Sequence, residues 1–233
     1  MRAAIVQSSF LPWRGYFDMI DDVDVFVFFD DVQYVKKSWR ARNRIKTAQG
    51  ARWIIAPVCK DSPRKAIDET RIDDTRPWRA RILAQLDDAY RRAPHFAAVK
   101  EGLVGELSAP HETISHVNMA LTRWACRQLG ISTRFVNARD LGASGVKTER
   151  VIELLRALGA GSLVNGPTAR AYTDHDLIRH AGIALYYKSY DYPAYPQLHG
   201  EFLPDMSIMD LLFNCGPDSR RYLKSLSPSV RAV

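Results

Sequence analysis

Apolar positions along the chain fall into short blocks separated by turn residues. Residues 2–7 (RAAIVQ) read as a short buried strand, and Pro12 and Gly15 break the pattern after it. Residues 15–22 predict a short helix with Phe17 and Ile20 on its inner face. Residues 24–30 (DVFVFFD) predict a second strand, apolar on both faces as a central strand covered by helices would be. Residues 52–58 (RWIIAPV) read as a third strand, reached through a long basic loop.

The middle of the chain switches to a helical period. Pro77 suits the first turn of a helix running to about residue 89, with Thr75 as its cap. Residues 96–107 predict a second helix and residues 111–129 a third. In the third, Ile114, Val117, Leu121, Trp124, Ala125 and Leu129 form one stripe, and Gly130 ends it as a left-handed cap would. From residue 133 the pattern alternates: a strand at 133–136, a helix at 147–158 closed by Gly159, a strand at 162–165, a helix at 173–181 closed by Gly182, and a strand at 183–188. Such a βαβαβ run implies parallel strands joined by right-handed crossovers. The expectation is a single α/β domain over residues 1–233. It is Rossmann-like and three-layered, with a mostly parallel sheet and an inserted helical section at about residues 77–130.

Composition narrows the class. The 233 residues, 46% hydrophobic and 25% charged, suffice for one core and exclude disordered, collagen-like and coiled-coil chains. The apolar runs fall far short of the roughly 18–20 residues of a membrane span. No secretory signal pattern opens the chain. Cys59, Cys126 and Cys215 make neither a disulfide framework nor a CxxC motif. A cytoplasmic location is expected. Charge adds direction: the net value is +7, residues 36–81 hold 14 Lys and Arg against 5 acids, and residues 18–31 hold 6 acids and no base. The basic stretch is either an ordinary solvated surface or a site for an anion, whether nucleotide phosphate or nucleic acid.

Four segments carry more chemistry than plain structure requires. Residues 7–17 (QSSFLPWRGYF) link the first strand to the first helix, where open α/β sheets bind ligands. The others are residues 30–46 (DDVQYVKKSWRARNRIK), 165–172 (NGPTARAY) and 206–216 (MSIMDLLFNCG). Together, in this order, they resemble the WbqC-like family. Its patterns read Q-P/S-x-F/Y-L-P-W-x-G-Y-F, D-D-V-Q-F/Y-x-K-x-S-W-x-x-R-N-x-I-K, G-P/S-x-A-x-x-Y and S-I-x-D-L-L-F-N-x-G. Ser8 stands where that family often has proline. The resemblance implies a place in bacterial surface-polysaccharide assembly, O-antigen included, and carries over no catalytic residue. The first loop is also similar to a degenerate H-x-G-H loop of nucleotidyltransferases and class I synthetases. Trp13-Arg14-Gly15-Tyr16 keeps the glycine and lacks both histidines, so Arg14 or Lys37 would have to supply the charge for a phosphate.

The candidate catalytic groups are Asp30, Asp31 and Lys37. The candidate binding groups are Gln7, Trp13, Gly15, Tyr16, Gln33, Trp39, Asn43, Arg44, Gly166, Tyr172, Gln197, Asp210 and Asn214. Trp13 and Tyr16 either stack on a ligand or pack as lid and core. Asp30 and Asp31 either cap a loop or hold Mg²⁺ brought by a nucleotide, for which one or two carboxylates suffice. Lys37 and Arg44 suit phosphate. Gln33, Trp39 and Asn43 offer amide and aromatic contacts to a polar ligand, or mark a plain edge strand. Asp210, inside an apolar run, either caps backbone or titrates abnormally at a site. The six histidines show no metal spacing, and no GxSxG, HExxH, GxxxxGK[ST] or GxGxxG motif occurs.

The expected function is an enzyme of surface-glycan or specialised-metabolite biosynthesis that transfers a small acyl or aminoacyl group to an amine. ATP or another nucleotide with Mg²⁺ is the candidate cofactor, and a small-molecule or nucleotide-linked compound the substrate. Two alternatives stay open: a nucleotidyltransferase acting on a sugar or small molecule, and a tRNA- or nucleic-acid-binding or non-catalytic assembly protein. The loops at residues 7–15, 30–44 and 166–172 should line one cleft, since each begins at a strand's carboxyl end.

Overall fold

The computed structural model describes residues 1–232, the side chain of Pro63 aside. Its strands are β1 (Arg2–Val6), β2 (Val25–Phe28), β3 (Arg42–Thr47), β4 (Gly50–Ile55), β5 (Arg134–Asn137), β6 (Ser162–Asn165), β7 (Ala184–Tyr187) and β8 (Val230–Arg231). Its α-helices are α1 (Arg14–Asp21), α2 (Trp78–Tyr90), α3 (Phe96–Ser108), α4 (Ile114–Gln128), α5 (Lys147–Leu158), α6 (His175–His180) and α7 (Ile208–Cys215).

The central sheet runs β5-β2-β1-β6-β7-β8, parallel except for β8 at one edge. Taken in chain order, its five parallel strands lie third, second, first, fourth, fifth, the order of a Rossmann-like sheet. The chain reverses direction across the sheet between β1 and β6. Alternation along the strands explains the three layers. Ala3, Ile5, Val25 and Val27 face α5 and α6 through Ile152, Leu155 and Ile178. Ala4, Phe26 and Phe28 face the other way, into a larger core with Phe17, Ile20, Leu121 and Trp124. The strand at residues 24–30 is thus buried on both sides, as its apolar run indicated.

Helix ends follow local chemistry. Thr113 caps α4 by accepting from the His116 amide, and Asp174 caps α6 by accepting from the Leu177 amide. Gly130, Gly159 and Gly182 all take positive φ just beyond their helices. Thr75 does not cap α2: Pro77 holds that position, and the Thr75 hydroxyl bonds Asp73.

The sheet at residues 52–58 requires a correction. β4 does not join the central sheet; it pairs antiparallel with β3 in a separate hairpin, Arg44 opposite Trp53 and Arg42 opposite Ile55. The tight turn between them, with Gly50 at φ +95°, leaves no room for the crossover a parallel strand would need. Residues 42–47 and 50–51 of the supposed basic loop are therefore strand. Its outward Arg42 and Arg44 alternate with inward Asn43 and Ile45. No described helix is long and apolar enough to cross a membrane.

Candidate functional site

A cleft of about 700 Å³ opens at the carboxyl ends of β1 and β6, where the strand order reverses. An open α/β sheet leaves such a crevice because the two crossovers depart to opposite faces. Gln7, Trp13 and Tyr16 form one wall, Asn165, Gly166, Thr168 and Tyr172 another, and Lys147 and Thr148 open α5 beneath. Arg40 and Tyr190 complete it. The loops at residues 7–15, 30–44 and 166–172 thus meet, although the second contributes only Arg40 to this lining.

The first loop is held under conformational tension by later segments. Leu11 adopts φ +42°, a region that disfavours bulky side chains. Asn43 Nδ2 donates to the Phe10 and Leu11 carbonyls at 3.1 and 2.9 Å. Ser207 Oγ donates to the Leu11 carbonyl at 2.8 Å, and the Ile208 amide donates to the Pro12 carbonyl at 2.8 Å. Asn43 is therefore a buried clamp of the cleft wall. Close approach explains both glycines: a Cβ on Gly15 would stand 2.3 Å from the Trp13 ring, and one on Gly166 would stand 2.5 Å from the Tyr190 hydroxyl. The Trp13 ring in turn meets Tyr190 edge-on at 4.8 Å.

Arg40 brings a guanidinium to this cleft. Its Nη1 donates to Gln7 Oε1 at 2.9 Å and its Nη2 to Ser9 Oγ at 2.8 Å, while its buried Nε has no partner among the described residues. Among the described residues it forms no ion pair. Burial lowers its pKa, opposed by Tyr16 and Asp30. Burial also raises the Tyr16 phenol well above its ordinary value, with Asp30 adding to the shift. Tyr190 is pushed up to about 12 by burial. The cleft thus combines a poorly compensated guanidinium, a lysine at a helix start and neutral hydroxyls and amides, and among the described residues no carboxylate side chain lines it. This environment favours an anion.

Asp30 and Asp31 diverge. Asp30 turns inward, accepting from the Ser8 amide at 2.7 Å and the Ser115 hydroxyl at 2.5 Å. Burial raises its pKa, and these two donors and Arg40 act against that rise. Asp31 pairs with Arg150. Both border a smaller hollow of about 250 Å³ beyond β2 and β5, with Asp68, Arg139 and Asp140. Among the described residues, no group of three or more His, Cys, Asp or Glu side chains is placed to hold a metal ion.

Other sequence candidates lie apart from the cleft. Lys37 is exposed at φ +55° on a turn, and Gln33 is exposed and bridges to Ala66. Arg14, the other proposed phosphate ligand, is buried against the Tyr192, Tyr195 and Phe202 rings and donates to the Pro193 and Tyr222 carbonyls. Arg44 lies 3.9 Å from Asp205, and Trp39 is exposed beside Trp53.

Asp210 is fully buried and accepts from Tyr90 at 2.8 Å, Tyr195 at 2.7 Å and Gln197 at 2.6 Å. Asn214 donates to its backbone carbonyl at 2.7 Å and accepts from the Leu198 amide at 3.2 Å. This network ties α7 to residues 195–203. Burial raises the Asp210 pKa and its three donors oppose that.

Sequence reasoning missed Arg40, Lys147, Thr148, Asn165 and Tyr190. Arg40 lay inside the second motif without being singled out. Lys147 and Thr148 lay at a helix start already predicted. Tyr190 carried no signal.

The model of the WbqC-like protein family matches residues 7–222. An uncharacterized protein of Mycobacterium tuberculosis, Rv1507c, is 43% identical over 226 residues, covering 96% of this chain and 97% of that protein. No solved structure matches the chain at a significant level.

Proposed function

Since this chain belongs to the WbqC-like protein family, we propose that it is a transferase of bacterial surface-glycan or specialised-metabolite biosynthesis whose switch-point cleft takes a phosphate-bearing donor. The observation that carries this reading is Arg40: a guanidinium held at the cleft by Gln7 and Ser9, with a buried Nε left over and no ion-paired carboxylate. A phosphate would accept from it with charge-assisted bonds, and the start of α5 would add amide N–H groups and the Lys147 ammonium.

The transferred group in this reading is a small acyl or aminoacyl unit and the acceptor an amine. The amine nitrogen attacks the acyl carbon, the bond from that carbon to the donor's oxygen breaks, and the proton lost by the nitrogen passes to water. The departing oxygen carries the negative charge, which Arg40 and Lys147 stabilise. An activated donor needs no strong base, consistent with a lining that lacks carboxylates. Trp13 and Tyr190 supply the flat apolar surface for a base or acyl chain.

Thermal shifts with nucleotides, nucleotide sugars, acyl-CoAs and aminoacyl-tRNAs test this. A ligand at 100 times its Kd stabilises a fold by about 2.7 kcal/mol. Arg40→Gln should lose most of the shift given by a phosphate-bearing ligand, and Lys37→Ala should keep it. The reading fails if no phosphate-bearing compound raises the Tm, or if Arg40→Gln responds like the parent.

A further inference from the structure

The β3–β4 hairpin presents a surface that the cleft does not use. Trp39 and Trp53 are 45% and 37% exposed, with ring centroids 5.4 Å apart. The Arg42 guanidinium lies 4.1 Å from the Trp53 ring centre, and Arg44 lies about equally near both indoles, at 5.8 and 6.0 Å. Ile55, opposite Arg42 on the same face, is exposed as well. Residues 32–60 contain eight Lys and Arg and no Asp or Glu. Among the described residues the ion pairs of those eight reduce to Arg44 with Asp205, at 3.9 Å.

We infer that this hairpin face binds single-stranded RNA, with bases stacking on Trp39 and Trp53 and phosphates meeting Arg42 and Arg44. Exposed aromatic rings interleaved with cations are the common means of holding an unpaired strand, because every base has a flat face and every linkage a negative charge. An apolar partner covering this face would bury Arg42 and Arg44 with only the long contact of Arg44 to Asp205 to balance them. A strand of phosphates neutralises these two guanidiniums.

The surface is also continuous with the cleft. Trp39 and Arg40 are adjacent: the first faces the hairpin, the second lines the cleft, and the Phe10 amide anchors the Trp39 carbonyl between them at 2.9 Å. A strand on the hairpin therefore has its end at the cleft mouth. This deepens the proposed function, on which it rests, by naming an RNA as carrier of the acyl group.

Fluorescence anisotropy of labelled single-stranded RNA, with intrinsic tryptophan quenching alongside, tests the inference on the full chain. Trp39→Ala and Trp53→Ala should each weaken binding on the order of 5- to 100-fold. Arg42→Ala should flatten the slope of log affinity against log salt by about 0.7. Melting curves establish that each variant is folded. A Trp39→Phe variant, which keeps a stacking face, should recover most of the affinity.

Unchanged RNA affinity in both tryptophan variants overturns the inference. So does hairpin-dependent binding to anionic phospholipid vesicles without RNA binding. Arg40→Gln separates the two readings: loss of the mononucleotide shift with hairpin-dependent RNA binding intact supports both. Hairpin-dependent RNA binding with no nucleotide response supports the RNA surface and sinks the donor cleft alone.

Discussion

Asp30 tests how the cleft wall is held. Its carboxylate is buried and takes the Ser8 amide at 2.7 Å and the Ser115 hydroxyl at 2.5 Å. In Asp30→Ala the Ser8 N–H loses its acceptor while Ser8 stays fully buried. An unmet buried donor costs roughly 1–3 kcal/mol, and the lost bond of the hydroxyl to a charged acceptor adds roughly 1.5–3 kcal/mol. The variant should therefore lose roughly 2.5–6 kcal/mol. Asp30→Asn keeps an oxygen for Ser8 and turns an amide toward the Ser115 oxygen, so it should stay within about 1 kcal/mol of the parent. The pH dependence follows from burial, which raises the folded-state pKa of Asp30. The folded protein then favours the protonated carboxyl more than the unfolded chain does. The resulting stability is fully present below the ordinary carboxylate pKa of about 4, and is lost as pH rises through the raised folded value. The parent should thus weaken relative to Asp30→Asn as pH climbs above about 4. Urea unfolding of the three proteins from acid to neutral pH measures both effects. A loss below about 1 kcal/mol in Asp30→Ala, or a parent-to-Asn difference that ignores pH, would refute the reasoning.

Lys188 pairs with fully buried Asp18 at 2.8 Å, so Lys188→Ala should cost roughly 3 kcal/mol in chemical denaturation by leaving a buried charge short of its partner. Lys224, half-exposed and 3.3 Å from the same carboxylate, should cost less than about 1 kcal/mol when replaced by alanine. Burial pushes the Cys126 and Cys215 thiols up to about 12 and about 11, so iodoacetamide at mildly alkaline pH should label Cys59 first, as mass spectrometry of the native protein would read. Early labelling of Cys126 would contradict its burial.

Much of the fold was legible because its signals are local. The helix at 147–158 and the strand at 162–165 agree with the structure at both ends, since a glycine cap and a short apolar block mark them. The 42–55 hairpin was half hidden because Arg42 and Arg44 alternate with Asn43 and Ile45: period two is present, but cations on the outer face make it read as loop. The site was less legible. Motif membership marks residues that matter without saying whether they touch a ligand or hold the loop that does. Asn43 and Ser207 belong to motifs and act as clamps on Leu11. Arg40 belongs to one too, and only the fold turns it into the cleft while leaving Lys37 outside.

Charge shows why spatial arrangement decides more than composition. The acids of residues 18–31 are largely consumed inside the molecule. Asp18 pairs with Lys188 and Lys224, Asp21 with Arg220 and Lys224, Asp22 with Arg2 and Lys188, and Asp31 with Arg150. Most of those partners come from the far end of the chain, so folding spends C-terminal cations on N-terminal acids. The cations of residues 32–60 have no such counterpart; their one ion pair among the described residues is with Asp205. A net charge of +7 is therefore not a diffuse surface excess. It is concentrated on one hairpin and the loop leading into the cleft, and a local field of that kind raises the concentration of an anionic partner where its end can enter the site. The low-salt association rate of such a partner should fall steeply with added salt, while the stability of the Asp18 cluster, shielded by burial, should change little.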